Sequence, residues 1–378
     1  MISDVEDGDE TPAKTSAGAP ADLVCLGDYE ECARALMTPA AAGFLASGVG
    51  DEVTVRANRE AFMRMRLRPR ALVDVSAIDT RVRLLGRDHP LPVVLAPTAY
   101  TGVFHPEGER AVARGANDAG VTYTVASFAT TAIEDIRAES PGALWFQLYM
   151  LSDRGLMREI MARAEAAGCE AFCLTVDHPV PGARNQERRA RFELPNGLRR
   201  VHLDKLGDAA ARLGRPVSGG RNLYNPLMDA TVTWKDAEAL VASTRLPVLM
   251  KGILDEDDAE LAIASGAAAI VVSNHGGRTV DQLPATLDAL SPIVQRVAGR
   301  VPLLVDGGVR RGTDIVIARA LGADAVLIGR PYVHGLVVNG AAGVTQVINI
   351  LRQELEMALA LLGRTSLDQI DRSVLWSA

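Results

Sequence analysis

Eight short apolar segments, separated by segments with helical periodicity, constrain this sequence more than any other feature. Each is too short for a helix and apolar on both faces, as the strands of a parallel sheet are. They are PVVLAP (92–97), VTYTVA (121–126), LWFQLY (144–149), AFCLTVD (171–177), LPVLMK (246–251), AIVVSN (269–274), PLLVDG (302–307) and AVLIGR (325–330). Eight alternating strand and helix units predict an α/β fold, a closed (β/α)8 TIM barrel, rather than an open doubly wound sheet.

The remaining segments are interpreted as additions to a single barrel domain that spans residues 22–378. Residues 1–21 are acidic and polar, which predicts a disordered tail and argues against a secretory or transit peptide. Residues 28–64 predict two covering helices, and residues 341–363 predict another. Residues 178–245 are rich in Arg, Gly and Pro and predict a long loop after the fourth strand, parts of which order only over a ligand.

Charge and cysteine content narrow the classes of partner. The net charge of -7 argues against a nucleic-acid-binding surface. No apolar stretch reaches the roughly 18 residues of a membrane span, so we expect no membrane contact. Cys25, Cys32, Cys169 and Cys173 lack the spacing of zinc ligands and are interpreted as buried thiols. These features predict no metal site, a reduced cytoplasmic setting and small-molecule partners.

Mostly polar residues and glycines stand at the carboxyl ends of the predicted strands, where the active sites of TIM barrels lie. Any one of these residues could simply meet solvent, but eight such ends together favour a functional site. The set comprises Ala96, Pro97, Thr98, Ala99, Ser127, Gln147, Tyr149, Thr175, Asp177, Lys251, Ser273, His275, Asp306, Gly307, Gly308, Gly329 and Arg330.

The last two strand ends resemble a phosphate site. Loops after strands seven and eight of a barrel commonly bind phosphate with backbone amides. DGGVRRGTD supplies glycines, Arg310 and the start of a helix, and IGRP adds Gly329 and Arg330. The alternative is that both segments are plain turns between a strand and a helix.

Lys251 is expected inside the barrel mouth, where a buried ammonium is costly unless it meets an anion or an electron-rich ring. A flavin would supply that ring, and the lysine would stabilise the negative charge of its reduced form. Gln147, Thr175 and Ser127 could then bond the polar rim of the flavin. The alternative is a lysine that reaches solvent.

SNHGGRTVDQLP places His275 and Arg278 around a glycine pair just past the sixth strand. Inward residues of alternate barrel strands share layers, so Asp177 can meet His275, orient its imidazole and make it a general base. Arg278 and Arg184 can then bind a substrate carboxylate, with Tyr149 on the alcohol oxygen. The alternative is a turn histidine beside a surface arginine.

Together, SNHGGRTVDQLPAT, DGGVRRGTD, FQLY, LTVD and VLMKGI resemble the FMN-dependent (S)-2-hydroxy-acid oxidase and dehydrogenase family, which includes glycolate oxidase, lactate oxidase and mandelate dehydrogenase. The resemblance runs from about residue 28 to about residue 363. It implies bound FMN, a homotetramer, and oxidation of a 2-hydroxy acid to a 2-oxo acid with O2 reduced to hydrogen peroxide. A dehydrogenase that passes electrons to a quinone or another carrier, and a flavin-binding peptide-tailoring protein, are the alternatives.

By position, the resemblance implies that His275 is the base, Asp177 its partner, and Arg184 and Arg278 the carboxylate ligands. It also places Tyr149 near the hydroxyl and Lys251 at the N1/O2 edge of the flavin. The cofactor-binding set that it implies is Pro97, Thr98, Ala99, Ser127, Gln147, Thr175, Lys251, Ser273, Asp306, Gly307, Gly308, Arg310, Gly329 and Arg330, with Asp306 at the ribityl chain and Gly308, Arg310, Gly329 and Arg330 at the phosphate.

Two departures from the family pattern concern the substrate side chain. Phe44, in FLASG, stands where glycolate and lactate oxidases have a tyrosine, and Phe128 stands where glycolate oxidases favour tryptophan. APTAY followed by FHPEGE is more similar to hydroxymandelate oxidases. An apolar pocket of Phe44, Tyr100 and Phe128 favours an aromatic, mandelate-like substrate.

Overall fold

The structure is a computed structural model that describes residues 22–204 and 227–376. Eight parallel strands close into a barrel in the order β10-β3-β4-β5-β6-β7-β8-β9, which confirms the predicted TIM barrel. A two-stranded hairpin, which the sequence pattern did not predict, precedes them. The strands are β1 Val82–Leu84, β2 Arg87–His89, β3 Val93–Leu95, β4 Thr122–Val125, β5 Leu144–Leu148, β6 Ala171–Thr175, β7 Val248–Ile253, β8 Ala269–Val272, β9 Leu303–Val305 and β10 Ala325–Ile328.

The barrel interior is packed with apolar side chains from alternate positions of the strands. Val94, Leu249, Val271 and Leu304 form one buried cluster inside it. Leu84 of the β1–β2 hairpin belongs to the same cluster, so the hairpin closes the amino-terminal end of the barrel. The carboxyl ends of the strands therefore form the end at which a ligand can enter.

Helices surround the barrel, and three of them precede its first strand. They are α1 Leu26–Leu36, α2 Pro39–Ala46, α3 Val53–Arg64, α4 Gly108–Ala119, α5 Ile133–Glu139, α6 Arg154–Ala166, α7 Asn185–Arg189, α8 Trp234–Ala242, α9 Glu256–Ala264, α10 Thr286–Val297, α11 Gly312–Ala320 and α12 Arg330–Leu361. The prediction of two helices over residues 28–64 is wrong, because three form there. The chain turns between α2 and α3 at Gly50, whose φ is +59°.

The connection after β6 is more ordered than a single loop. Residues 185–189 form α7, and residues 234–242 form α8, the barrel helix before β7. A capping box of Thr233 and Asp236 begins α8. The prediction of one loop over 178–245 is therefore wrong for these two segments. Residues 205–226 of that connection, and the predicted tail at 1–21, lie outside the described residues.

The last helix starts directly after β10 and is longer than the predicted 341–363. A non-helical pair, Asn339 and Gly340, kinks it in the middle. In the described part of the chain, α12 is the one helix long and apolar enough to cross a membrane by length and composition alone. Val344, Val347 and Leu351 are buried, and α12 packs against α1 and α4, as a core helix does.

The cysteines are free thiols in two environments. Cys169 and Cys173 are buried as predicted, and burial raises the pKa of each thiol to about 12. Cys25 and Cys32 are partly exposed in and before α1, so the prediction of buried thiols is wrong for this pair. Within residues 22–204 and 227–376, no group of three or more His, Cys, Asp or Glu side chains could hold a metal ion.

Candidate active site

A cavity of about 550 Å³ opens at the carboxyl ends of the barrel strands, and its size is typical of a small-molecule site. All but three of the predicted site residues line it. The lining members are Phe44, Pro97, Thr98, Ala99, Tyr100, Phe128, Gln147, Tyr149, Thr175, Arg184, Lys251, His275, Arg278, Asp306, Gly307, Gly308, Arg310, Gly329 and Arg330. Asp177, Ser127 and Ser273 lie behind the wall, where they contact lining residues.

The His275 imidazole meets the Asp177 carboxylate at the cavity wall. The Nδ1 atom of His275 lies 2.9 Å from Oδ1 of Asp177. Burial opposes ionisation of Asp177, but His275 and Lys251 outweigh burial and lower its pKa below 3.8. A Cβ atom on Gly252 would lie 2.5 Å from Asp177 Cβ, so only glycine leaves room for this carboxylate.

The glycine pair after His275 lets the chain turn at the end of β8. His275, Gly276 and Gly277 have φ values of 57°, 64° and 75°. These left-handed conformations suit glycine and are uncommon for histidine. The backbone N–H of His275 donates to Ser273 Oγ at 3.0 Å, which fixes the turn. The turn interpretation and the catalytic interpretation are thus compatible, because the turn directs the imidazole to the cavity.

Lys251 is buried beside Asp306 instead of reaching solvent. Its Nζ lies 3.1 Å from Asp306 Oδ2 and donates to Ser273 Oγ at 2.8 Å. Burial alone would lower the pKa of Lys251, but Asp306 and Asp177 raise it above 10.5, so the ammonium stays charged. Contrary to the prediction, Lys251 does not end its strand. β7 continues to Ile253 after an irregular step at Gly252.

Gln147 and Thr175 present polar atoms to the cavity floor. The Nε2 atom of Gln147 donates to Thr175 Oγ1 at 3.1 Å. Ser127 holds Gln147 from behind, since its N–H donates to Gln147 Oε1 at 3.1 Å and its hydroxyl to the Gln147 carbonyl at 2.6 Å. Ser127 and Ser273, predicted to touch the flavin ring, lie where they position Gln147 and Lys251.

The predicted phosphate end is glycine-rich and positively charged. A Cβ atom on Gly308 would lie 2.2 Å from the Asn58 carbonyl oxygen, so this loop packs closely on α3. Arg310 Nε is buried without a hydrogen-bond partner among the described residues. Burial and then Arg59 lower the pKa of Arg310 to about 10, and burial lowers that of Arg330. Glu30 lies 2.8 Å from Arg59 and 3.8 Å from Arg310, and a further anion would relieve the repulsion that remains among the three guanidinium groups.

These residues fit FMN along its whole length. Gln147, Thr175 and Lys251 match the polar rim of a flavin ring. Asp306 Oδ1 is buried without a hydrogen-bond partner in the described part of the chain, as an acceptor for a ribityl hydroxyl would be before the cofactor binds. Arg310 and Arg330 match the phosphate.

The opposite end of the cavity is built from aromatic rings and two arginines. Phe44 stacks on Phe192 with ring centroids 4.4 Å apart, and lies 5.7 Å from Tyr100. Arg278 lies over the Phe44 ring at 5.3 Å and donates to the carbonyls of Phe44 and Ser47 at 2.9 and 2.6 Å. Arg278 is therefore fixed at the cavity wall, which excludes the alternative of a surface arginine.

Apart from Arg184, sequence reasoning missed the lining residues that the connection after β6 contributes. They include His178, Glu187, Phe192 and Arg200. The His178 ring lies 5.2 Å from that of His275, and burial followed by His275 lowers the pKa of His178 to about 4. Arg200 Nε donates to the Tyr100 hydroxyl at 2.9 Å. The arginine-rich composition of this segment was the available signal, but no strand end pointed to particular residues.

The site combines a histidine–aspartate pair and two arginines with a buried lysine and a basic, glycine-rich end. In a TIM barrel, this combination is that of a flavin-dependent oxidoreductase. The family model described as FMN-dependent dehydrogenase matches residues 33–377. The chain belongs to this family and is an FMN-dependent enzyme of the 2-hydroxy-acid oxidase class.

Relatives of known activity match over nearly the whole chain. The L-lactate oxidase of Nostoc sp. strain PCC 7120 is 45% identical over 354 residues, which cover 93% of this chain and 97% of that protein. Glycolate oxidase 1 of Oryza sativa subsp. indica is 42% identical and covers 93% of this chain and 95% of its own. The crystal structure of a mandelate oxidase superposes with a TM-score of 0.84 at 40% identity, over 94% and 98% of the two chains.

Proposed function

We propose that this enzyme oxidises an aromatic (S)-2-hydroxy acid of the mandelate type to the 2-oxo acid, with O2 accepting the two electrons and forming hydrogen peroxide. The proposal rests on one observation: the His275–Asp177 pair, two arginines and an aromatic pocket all lie at the same cavity. Bound FMN would supply the two-electron redox chemistry. The protein residues supply binding, orientation and proton transfer.

The arginine pair gives the substrate its orientation. Arg184 and Arg278 both line the cavity next to His275, and a guanidinium binds a carboxylate through two parallel hydrogen bonds. A 2-hydroxy acid carries its hydroxyl on C2, the carbon bonded to the carboxylate, so binding the carboxylate also positions the hydroxyl. Tyr149 lines the same part of the cavity. Burial and then Asp177 raise the pKa of Tyr149 above 10, so its hydroxyl stays protonated and can donate to the substrate oxygen.

The histidine–aspartate pair moves the substrate proton. With Nδ1 of His275 committed to Asp177, the Nε2 atom is the one available to accept a proton from the substrate. The Asp177 carboxylate then stabilises the imidazolium that forms. The neighbouring His178 has a pKa of about 4 and so stays neutral, which spares the imidazolium a second positive charge.

The pocket beyond the arginines favours an aromatic side chain. Phe44, Phe192, Tyr100 and Phe128 surround it with ring centroids 4.4 to 6.4 Å apart. Aromatic pairs at such separations contribute about 0.5–1.5 kcal/mol each beyond area burial. Glycolate and lactate carry no ring that could use these contacts. A solved structure of mandelate oxidase with (S)-2-phenylpropionate superposes on this protein with a TM-score of 0.83. Its ligand is aromatic, which supports an aromatic substrate in a barrel of this kind.

Steady-state peroxide assays on (S)-mandelate, L-lactate and glycolate test the proposal. We expect the highest kcat/KM for (S)-mandelate, with one peroxide formed per 2-oxo acid. A preference for glycolate or lactate would contradict the aromatic pocket and leave the redox machinery untouched. Rapid anaerobic flavin reduction without aerobic turnover would instead identify a dehydrogenase that uses a quinone or another carrier. No flavin reduction by any of the acids would identify a flavin-binding protein without this activity.

A further inference from the structure

The carboxylate of Glu187 lies between the two arginines that are proposed to bind the substrate. Its Oε2 atom is 3.1 Å from Arg184 Nε and 3.7 Å from Arg278 Nη2. Arg184 precedes α7 and Glu187 is in its first turn, so the local helix holds this pair together. The three side chains are only 16 to 20% exposed. The protein thus places an anion of its own at the arginine pair.

Glu187 attracts the two arginines by its charge, but it accepts no hydrogen bond from them. Glu187 Oε2 and Arg184 Nε are both buried, yet neither has a hydrogen-bond partner with acceptable geometry within the described residues. The Nη1 donors of Arg278 go to the Phe44 and Ser47 carbonyls, which fix the guanidinium in place. Glu187 therefore acts on the two arginines through its charge and not through a hydrogen bond.

The charges at this site sum to one positive charge. Arg184 and Arg278 contribute two positive charges, and Glu187 contributes one negative charge. One substrate carboxylate would bring the group to neutrality. A second carboxylate would leave an uncompensated negative charge in a mostly buried cavity, which is unfavourable. Glu193 and Arg200, which also line the cavity, are exposed and carry opposite charges, so they change this sum little.

We propose that Glu187 is a specificity-determining residue that limits the arginine pair to ligands with a single carboxylate. The inference rests on the proposed function, because it takes Arg184 and Arg278 as the carboxylate ligands. Glu187 would not touch the reacting atoms. Its role is to discriminate between acids by the number of their charges.

Phenylacetate and phenylmalonate are matched probes, because they share the ring and differ by one carboxylate. Their dissociation constants are measured by titrating the FMN-loaded enzyme and following the flavin absorbance. We expect Glu187→Gln to tighten phenylmalonate about tenfold relative to phenylacetate, since one buried negative charge is removed at close range. Glu187→Asp keeps the charge and is expected to keep the discrimination. Glu193→Gln removes an exposed charge from the same cavity, and among the described residues Glu193 has no ion pair with either arginine, so it is expected to change the ratio less.

The outcomes separate this inference from the proposed function. If Glu187→Gln weakens both probes equally, the residue only orients the arginines and the inference is wrong. An unchanged ratio would also overturn it, provided that Arg278→Gln still weakens both probes. If Arg278→Gln leaves both affinities unchanged, the arginine pair does not bind carboxylates, and the proposed function fails at that step.

Discussion

The Nδ1 atom of His275 lies 2.9 Å from Oδ1 of Asp177, although the two residues are 98 positions apart in the chain. They follow β8 and β6, which are alternate strands of the barrel, and inward residues of alternate strands share a layer. The contact decides which imidazole nitrogen can act on a substrate. It also predicts different consequences for the removal of each partner.

Replacing His275 by Asn should abolish the proton acceptor and keep the cofactor. We expect anaerobic flavin reduction by (S)-mandelate to slow by roughly 10²–10⁴-fold, the usual contribution of positioned acid–base catalysis. Stopped-flow absorbance measures the rate, and the flavin spectrum of the purified variant serves as the control for cofactor retention. Reduction at a near-normal rate would remove His275 from this role.

The contributions of Lys251 and Asp306 to the free energy of unfolding should depend on each other. Removing one partner of a buried ion pair typically costs about 3–5 kcal/mol, because the remaining charge has no compensation, whereas removing both costs much less. We therefore expect Lys251→Met to lower the free energy of unfolding far more than Lys251→Met combined with Asp306→Leu. Urea denaturation of the cofactor-free forms measures both. Additive losses in the double variant would show that the two charges do not depend on each other.

We expect FMN binding to depend on Gly308, which is tightly packed, but not on Gly299, a glycine with positive φ and open space around it. Both Gly308 and Gly299 have positive φ, at +90° and +74°. A Cβ on Gly308 would lie 2.2 Å from the Asn58 carbonyl, whereas nothing lies within 4 Å of one on Gly299. We expect Gly299→Ala to cost about 1–2 kcal/mol of stability from backbone strain alone. Gly308→Ala is also expected to lose bound FMN, measured as the flavin-to-protein absorbance ratio, and equal ratios in the two variants would contradict this.

A neutral buried histidine predicts loss of stability in mild acid. Ile133 N–H donates to His202 Nε2 at 3.0 Å, and burial followed by Arg163 lowers the pKa of His202 to about 4. The unfolded chain binds this proton near pH 6.5 and the folded chain does not, so stability falls as the pH drops from 6.5 towards 4.

His202→Gln keeps an acceptor for Ile133 and cannot titrate. We expect it to reduce the slope of unfolding free energy against pH by up to one proton, or about 1.4 kcal/mol per pH unit. A slope remains, because His334 is also buried with its pKa lowered to about 3. Urea denaturation between pH 7 and pH 4.5 tests this, and identical slopes for the two proteins would refute the assignment.

The eight barrel strands could be predicted because each is a short apolar run that must be buried on both faces. In a closed barrel their carboxyl ends fall on one side, so the strand pattern alone predicts that His275, Asp177 and Lys251 lie near one another. The family motifs indicate the same residues. What periodicity reveals, therefore, is the framework and the side chains attached to its strand ends.

The positions of residues on loops and on very short helices or strands could not be predicted in this way. Leu84 closes the barrel from a hairpin whose strands, VRL and RDH, are mostly charged and so form no apolar run. Glu187 and Phe192 reach the cavity from α7 and the segment after it, where polar and apolar positions follow no period. In the turn between α2 and α3, a Cβ atom on Gly48 would lie 3.0 Å from the Gly277 carbonyl oxygen, a tertiary contact that local sequence does not reveal.

Phe44 is the residue through which the substrate side chain is best tested. Its ring stacks on Phe192 at 4.4 Å and lies under Arg278 at 5.3 Å, so it forms both the aromatic pocket and the wall of the carboxylate site. A tyrosine there could add a hydrogen bond to the substrate carboxylate, worth roughly 1.5–3 kcal/mol for a charged acceptor. The new hydroxyl would also put a polar group against the ring of an aromatic acid, which would bury it without a partner, so small acids would gain more.

Small acids lack the ring contacts and depend more on polar ones, so we expect Phe44→Tyr to raise kcat/KM for glycolate and L-lactate more than for (S)-mandelate. The measurement is the ratio of kcat/KM values for mandelate and lactate, which should fall by about tenfold, the equivalent of 1.4 kcal/mol. Phe44→Leu removes the ring without adding a hydroxyl, so it should weaken mandelate and leave lactate nearly unchanged. If both variants change the two acids equally, Phe44 does not contact the substrate side chain, and the preference for aromatic acids has to arise elsewhere in the cavity.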